Sequence, residues 1–95
     1  MVTRMLTFEI SLAHSEITVH GDVASIRSLA KRLERAAAEA ESQTESHVHL
    51  FSDLWEDGGD LTKSHVGPKT LHAKAADHVK FYCWDTSKVD VVPGT

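Results

Sequence analysis

Residues 16–41 read EITVHGDVASIRSLAKRLERAAAEAE, and within this one run the hydrophobic period changes from two to 3.6. Glu16 to His20 alternates, with Ile17 and Val19 on one side and Thr18 and His20 on the other, the pattern of a half-buried strand. Gly21-Asp22 breaks that rhythm. Asp22 is a suitable N-cap, because a carboxylate there can accept from the free backbone amides of a first helical turn. Beyond it Val23, Ile26, Leu29, Ala30, Leu33, Ala36, Ala37 and Ala40 fall on one side of a helix. A helix from Asp22 to about Glu41 is roughly 28 Å long, more than enough to cover a strand pair.

Upstream, Leu6, Phe8, Ile10 and Leu12 alternate with Thr7, Glu9 and Ser11, and the connector Ala13-His14-Ser15 makes this strand a hairpin with Glu16–His20. Downstream, Ser46 to Phe51 and His78 to Trp84 alternate again. The order is ββαββ in a single domain spanning residues 1–95. The expected fold is α+β: a two-layer, four-stranded, mostly antiparallel sheet with one long helix on one face. Parity assigns Leu6, Phe8, Ile10, Ile17, Val19, Val48, Leu50, Val79, Phe81 and Cys83 to the helix side. It assigns Thr7, Glu9, Thr18, His20, His47, His49, Phe51, His78, Lys80, Tyr82 and Trp84 to an opposite face with no helix to cover it. Pro68 is expected to open a short helix over Lys69 to Asp77, and Lys88 to Val92 is read as a brief edge strand or a tail.

Ninety-five residues suit one domain, and a chain of this size buries only about 60–65% of its unfolded surface. Fourteen acids against ten Lys and Arg give a formal charge of −4, which argues against bulk nucleic-acid binding and favours a basic partner. Cys83 is the one cysteine, so no intrachain disulfide can form and a reducing compartment is indicated. The opening residues carry no signal peptide, and no stretch is long enough to span a bilayer. The expected location is the cytoplasm, away from membranes.

Histidine is the compositional oddity, with seven in the chain. His47 and His49 share one face of a strand and His78 projects from another strand on that face, a workable zinc triad with Glu9 as a supporting partner. The plainer reading is a polar sheet face of solvated or interface histidines, with no metal and no cofactor. Cys83 falls on the core side, away from His78, where a thiol is inert. Arg27, Lys31 and Arg35 make a basic helical stripe, read as a solvated face because no aromatics interleave with it. Asp53-Leu54-Trp55-Glu56-Asp57-Gly58-Gly59-Asp60-Leu61 sets four carboxylates around a tryptophan without calcium-loop spacing. Such a loop suits docking of a basic partner, or else Trp55 folds back to plug the core. No phosphate-cradling glycine motif, nucleophile elbow or paired-cysteine motif is present, so no enzyme activity is expected.

Taken together, Ile17-Thr18-Val19-His20-Gly21-Asp22, Ser46-His47-Val48-His49-Leu50, Trp55 with Gly58-Gly59-Asp60-Leu61-Thr62, and His78-Val79-Lys80-Phe81-Tyr82-Cys83-Trp84 resemble the immunity protein 32 family of bacterial polymorphic-toxin systems. The chain departs from that pattern by placing Glu56-Asp57 between the tryptophan and the glycine pair. The resemblance implies a small, non-catalytic intracellular protein that binds and blocks a cognate toxin. Expected contacts are Trp55, Asp53, Glu56, Asp57 and Asp60 on the loop, and His47, His49, Tyr82 and Trp84 on the open sheet face. Two alternatives stand beside it: a metal-binding protein or small metalloenzyme using His47, His49 and His78, and a homodimer that covers its open face with a second copy.

Overall fold

A computed structural model of the chain describes residues 4–52, 59–70 and 72–90. Strands β1 (Leu6–Ser11) and β2 (Glu16–Gly21) form the expected hairpin, in register from Leu6 opposite Gly21 to Ser11 opposite Glu16. Helix α1 (Val23–Gln43) follows at once. Asp22 caps it by accepting from the Ser25 N–H at 3.2 Å, and its other oxygen accepts from the Met5 N–H at 2.7 Å. Hydrogen bonding from Ser25, then from Met5, outweighs burial and holds the Asp22 carboxyl at about 2. The helix ends at Thr44, whose N–H still donates to the Ala40 carbonyl at 2.7 Å and whose φ of 84° turns the chain out of the helix.

Strands β3 (Glu45–Phe51), β4 (Lys74–Ala75) and β5 (His78–Trp84) complete the fold. The fold class is the expected α+β, but the single four-stranded sheet is not. The described residues form two small antiparallel sheets, β2-β1-β4 and β3-β5. The break falls at Ala76-Asp77. The Ala76 N–H still donates to the Phe8 carbonyl on β1, whereas the Asp77 carbonyl accepts from Ser52 beyond β3. The Asp77 carboxylate is fastened there by the Ser52 hydroxyl at 3.0 Å and Lys63 Nζ at 2.7 Å. The chain thus leaves one sheet and enters the other within two residues.

The short helix expected over Lys69 to Asp77 is corrected by the same geometry. Lys74 and Ala75 lie extended against Ile10 and Glu9 on the open edge of β1, which satisfies their backbone groups better than an isolated turn. At the C-terminal end Lys88 closes a turn onto the Asp85 carbonyl instead of starting an edge strand through residue 90. Residues 91 and 92 of that expected element lie outside the described residues.

Helix α1 packs on β3 and β5. The core joins Leu6, Phe8, Ala36, Val48, Leu50 and Leu61, with Leu29, Leu33, Val79, Phe81 and Cys83 against it. Phe8 and Phe81 meet edge to face at 6.0 Å, a favoured aromatic arrangement across the two sheets. Because the helix lies over β3 and β5, the apolar side of β2 is left uncovered, and Ile10, Ile17 and Val19 are exposed rather than core. The other face of β1 was expected to be open and is instead buried at Thr7, Glu9 and Ser11. Residues 62–66 run across it: Thr62 N–H donates to the Leu6 carbonyl, Thr62 Oγ1 accepts from the Leu6 N–H, and Thr7 Oγ1 donates to the Ser64 carbonyl.

Candidate partner-binding face

The outer face of the β3-β5 sheet, opposite α1, carries a continuous row of six aromatic and imidazole rings. The pairing that builds it follows from register: His47 stands across from Tyr82, Glu45 from Trp84 and Phe51 from His78. Trp84 and Tyr82 stack at 6.3 Å, and Tyr82 tilts against His47 at 5.5 Å. His47 meets His49 edge-on at 4.8 Å, and His49, His78 and Phe51 stack in turn at 5.2 and 4.3 Å. At one end the row faces solvent, with Tyr82 52% and Trp84 53% exposed. His47, His49, Tyr82 and Trp84 are therefore brought together on one surface.

His49 Nδ1 lies 3.0 Å from His78 Nε2, so one ring donates and the other accepts. The pair survives only while at least one imidazole is neutral. Burial first, then the neighbouring His47, His78 and Lys80, pushes the His49 pKa below its ordinary value. The unfolded chain therefore binds more protons than the folded one just below about pH 6.5. Stability from this group is present above that pH and lost as pH falls through it. Between pH 7.5 and 5.5 the melting temperature should drop, and His49→Gln should shrink the drop. An equal drop in both proteins would remove His49 as its cause.

The three histidines of the expected zinc triad do not share a point. His49 and His78 bond each other, while His47 Nδ1 pairs with Glu45 Oε1 at 2.9 Å. Glu9, expected beside them, belongs to the other sheet. It meets His20 and His65, and these three are the one group of metal-ligating type whose donor atoms gather within 4.8 Å among the described residues. The His20–Glu9 half was within reach of pattern reading, since both lie on the polar side of the hairpin at diagonal positions. His65 has no such signal, because it comes from a segment without periodicity.

Asp60 is held by Arg32, Nη1 to Oδ1 at 3.1 Å, and Arg32 also donates to the His49 carbonyl at 3.1 Å. The pair ties the loop to α1 and β3, and Asp60 remains partly exposed. Asp53, Trp55, Glu56 and Asp57 lie outside the described residues. Arg27, Lys31 and Arg35 are exposed along α1, and Cys83 packs against the core.

A family model described as immunity protein 32 matches residues 16–86. The chain belongs to the immunity protein 32 family. The matched span contains every ring of the row from His47 to Trp84, together with α1 and both strands of the second sheet. No curated protein and no solved structure matches the chain. Among the described residues no helix is long and apolar enough to cross a membrane.

Proposed function

We propose that this immunity protein 32 family member neutralises a cognate bacterial toxin by binding it directly, and that the ring row on β3 and β5 is the contact surface. The observation that carries the reading is the half-exposed Tyr82–Trp84 pair on a sheet face whose reverse is packed on α1. Tyrosine and tryptophan concentrate binding energy, because they bury large rigid areas at small entropic cost. A regular sheet holds them in place before the partner arrives, which lowers the ordering cost of association. No reaction is required of the protein in this role: occupying the toxin suffices.

The net charge of −4 fits a toxin with a basic docking surface, and Trp55 with Asp53, Glu56, Asp57 and Asp60 supplies a second contact to such a surface. The cytoplasm is the compartment in which the protein would meet a toxin delivered into its own cell. The test is to identify a toxin gene next to this one and to titrate its product with the purified protein. A stable complex and loss of toxin activity at stoichiometric protein are expected. Full toxin activity in the presence of excess protein would sink the proposal.

A further inference from the structure

The polar side of the β1-β2 hairpin holds a second cluster, outside the ring row on β3 and β5. Glu9 on β1 and His20 on β2 are diagonal neighbours, and Glu9 Oε1 lies 2.9 Å from His20 Nε2. His65 descends onto the pair from the segment that crosses β1, its Nε2 3.1 Å from Glu9 Oε2. The two imidazoles stack at 3.7 Å, nearly parallel at 7°. All three side chains are withdrawn from solvent: Glu9 is 7% exposed, His20 13% and His65 2%.

With a neutral His65 ring the protons in this cluster do not balance. His65 Nδ1 lies 3.2 Å from the Val66 carbonyl, which can only accept, so Nδ1 carries the hydrogen. In a neutral ring Nε2 then bears a lone pair, and it faces a carboxylate oxygen. Nε2 is fully buried and has no hydrogen-bond partner despite the 3.1 Å approach. Glu9 turns its two carboxylate oxygens toward the two rings, one to each. An orphaned buried acceptor beside a carboxylate calls for a positive charge between them, supplied by a second proton on His65 or by a bound cation.

We propose that Glu9, His20 and His65 bind a divalent transition-metal ion of the zinc class through one carboxylate oxygen and two Nε2 atoms. Two imidazoles and a carboxylate are the donor set zinc takes, and nitrogen donors disfavour magnesium and calcium. Zinc–nitrogen bonds of about 2.0–2.1 Å separate tetrahedral neighbours by roughly 3.3 Å. The observed 2.9 and 3.1 Å distances run to different Glu9 oxygens, and one donor atom from each residue lies within 4.8 Å of the others, so the side chains must draw in to close on one ion. The His65 Nδ1–Val66 carbonyl contact is the outer bond that fixes the tautomer of a metal-bound histidine. The two rings are stacked nearly parallel, so His65 must turn well out of the stack for both lone pairs to meet one ion. The ion would staple β1, β2 and the segment after residue 59 together. It leaves one coordination position for water or a partner's side chain.

The test uses the full-length, tag-free protein stripped with chelator and then titrated with zinc or cobalt. Expected results are one equivalent bound, a melting temperature raised by several degrees, and the visible absorption of four-coordinate cobalt. Glu9→Gln and His65→Gln should each weaken binding at least tenfold, while His49→Gln should leave it unchanged. Should a variant fail to fold, the cobalt spectrum of the unmutated protein decides on its own. The proposal is overturned if the stripped protein binds no stoichiometric ion, or if binding survives His65→Gln and disappears in His49→Gln. It is overturned equally if both ring nitrogens of His65 are protonated at pH 7 whether or not zinc is present, since a proton then fills the ion's place.

Discussion

Leu61→Ala is expected to destabilise the protein by about 2–5 kcal/mol, as a buried leucine truncation does when its cavity cannot collapse. The residue lies in no helix and in no named strand, yet only 1% of it is exposed and it joins Leu6, Phe8, Ala36, Val48 and Leu50 in the core. Its N–H donates to the Phe51 carbonyl at 3.0 Å, and it bridges Ser52 in a parallel arrangement. Two residues earlier, Gly59 lies so close that an added Cβ would stand 2.4 Å from the Phe51 carbonyl oxygen. Backbone already in contact with backbone cannot move inward to fill a void. Thermal unfolding should record a fall of roughly 8 °C or more for a domain of this size. Leu12→Ala is the control: Leu12 is 88% exposed, and its loss should stay within about 0.5 kcal/mol. If the two substitutions have the same effect, the segment after Gly59 does not seal the core.

That residue also marks where reading the sequence stops. Helix α1 was legible because its signals are local: an Asp22 cap and an apolar stripe that repeats every 3.6 residues. The placement of His47, His49, Tyr82 and Trp84 on one face followed from parity, whereas the pairing and register of β3 with β5 did not. Alternation says which side chains share a face, but not what lies over that face. Thr7, Glu9 and Ser11 were placed correctly opposite Leu6 and Phe8, and the segment that buries them could not be foreseen. Ile17 and Val19 show the converse. They are apolar and correctly alternating, yet they are exposed because α1 lies over the other sheet. Leu61 and His65 sit in a stretch rich in glycine and charge, where no period announces a core residue or a ligand. The break at Ala76-Asp77 depends on Ser52 and Lys63, which are distant in sequence, so no local pattern encodes it.

Tyr82→Ala with Trp84→Ala is expected to cost at least about 4 kcal/mol of toxin affinity, roughly a thousandfold in Kd, if each behaves as an interface anchor of about 2 kcal/mol. The same pair should change stability little, because both rings are half exposed and stand on the face away from α1. The protein offers a rival apolar surface on the uncovered side of the hairpin, where Ile17 is 66% exposed beside Val19 and opposite Ile10. Aliphatic residues seldom anchor interfaces, so Ile17→Ser with Val19→Ser should weaken binding tenfold at most. Calorimetry on the two double variants compares the faces directly. Loss of affinity in the hairpin variant with full affinity in the ring-row variant would move the contact to β2. A second copy is the remaining occupant of the ring row. Light scattering would then give twice the 10.5 kDa mass of one chain, and Tyr82→Ala with Trp84→Ala would return it to the monomer. A dimer of that kind would hide the surface assigned to the toxin, so a protein that is both dimeric through Trp84 and fully active against its toxin would refute the assignment.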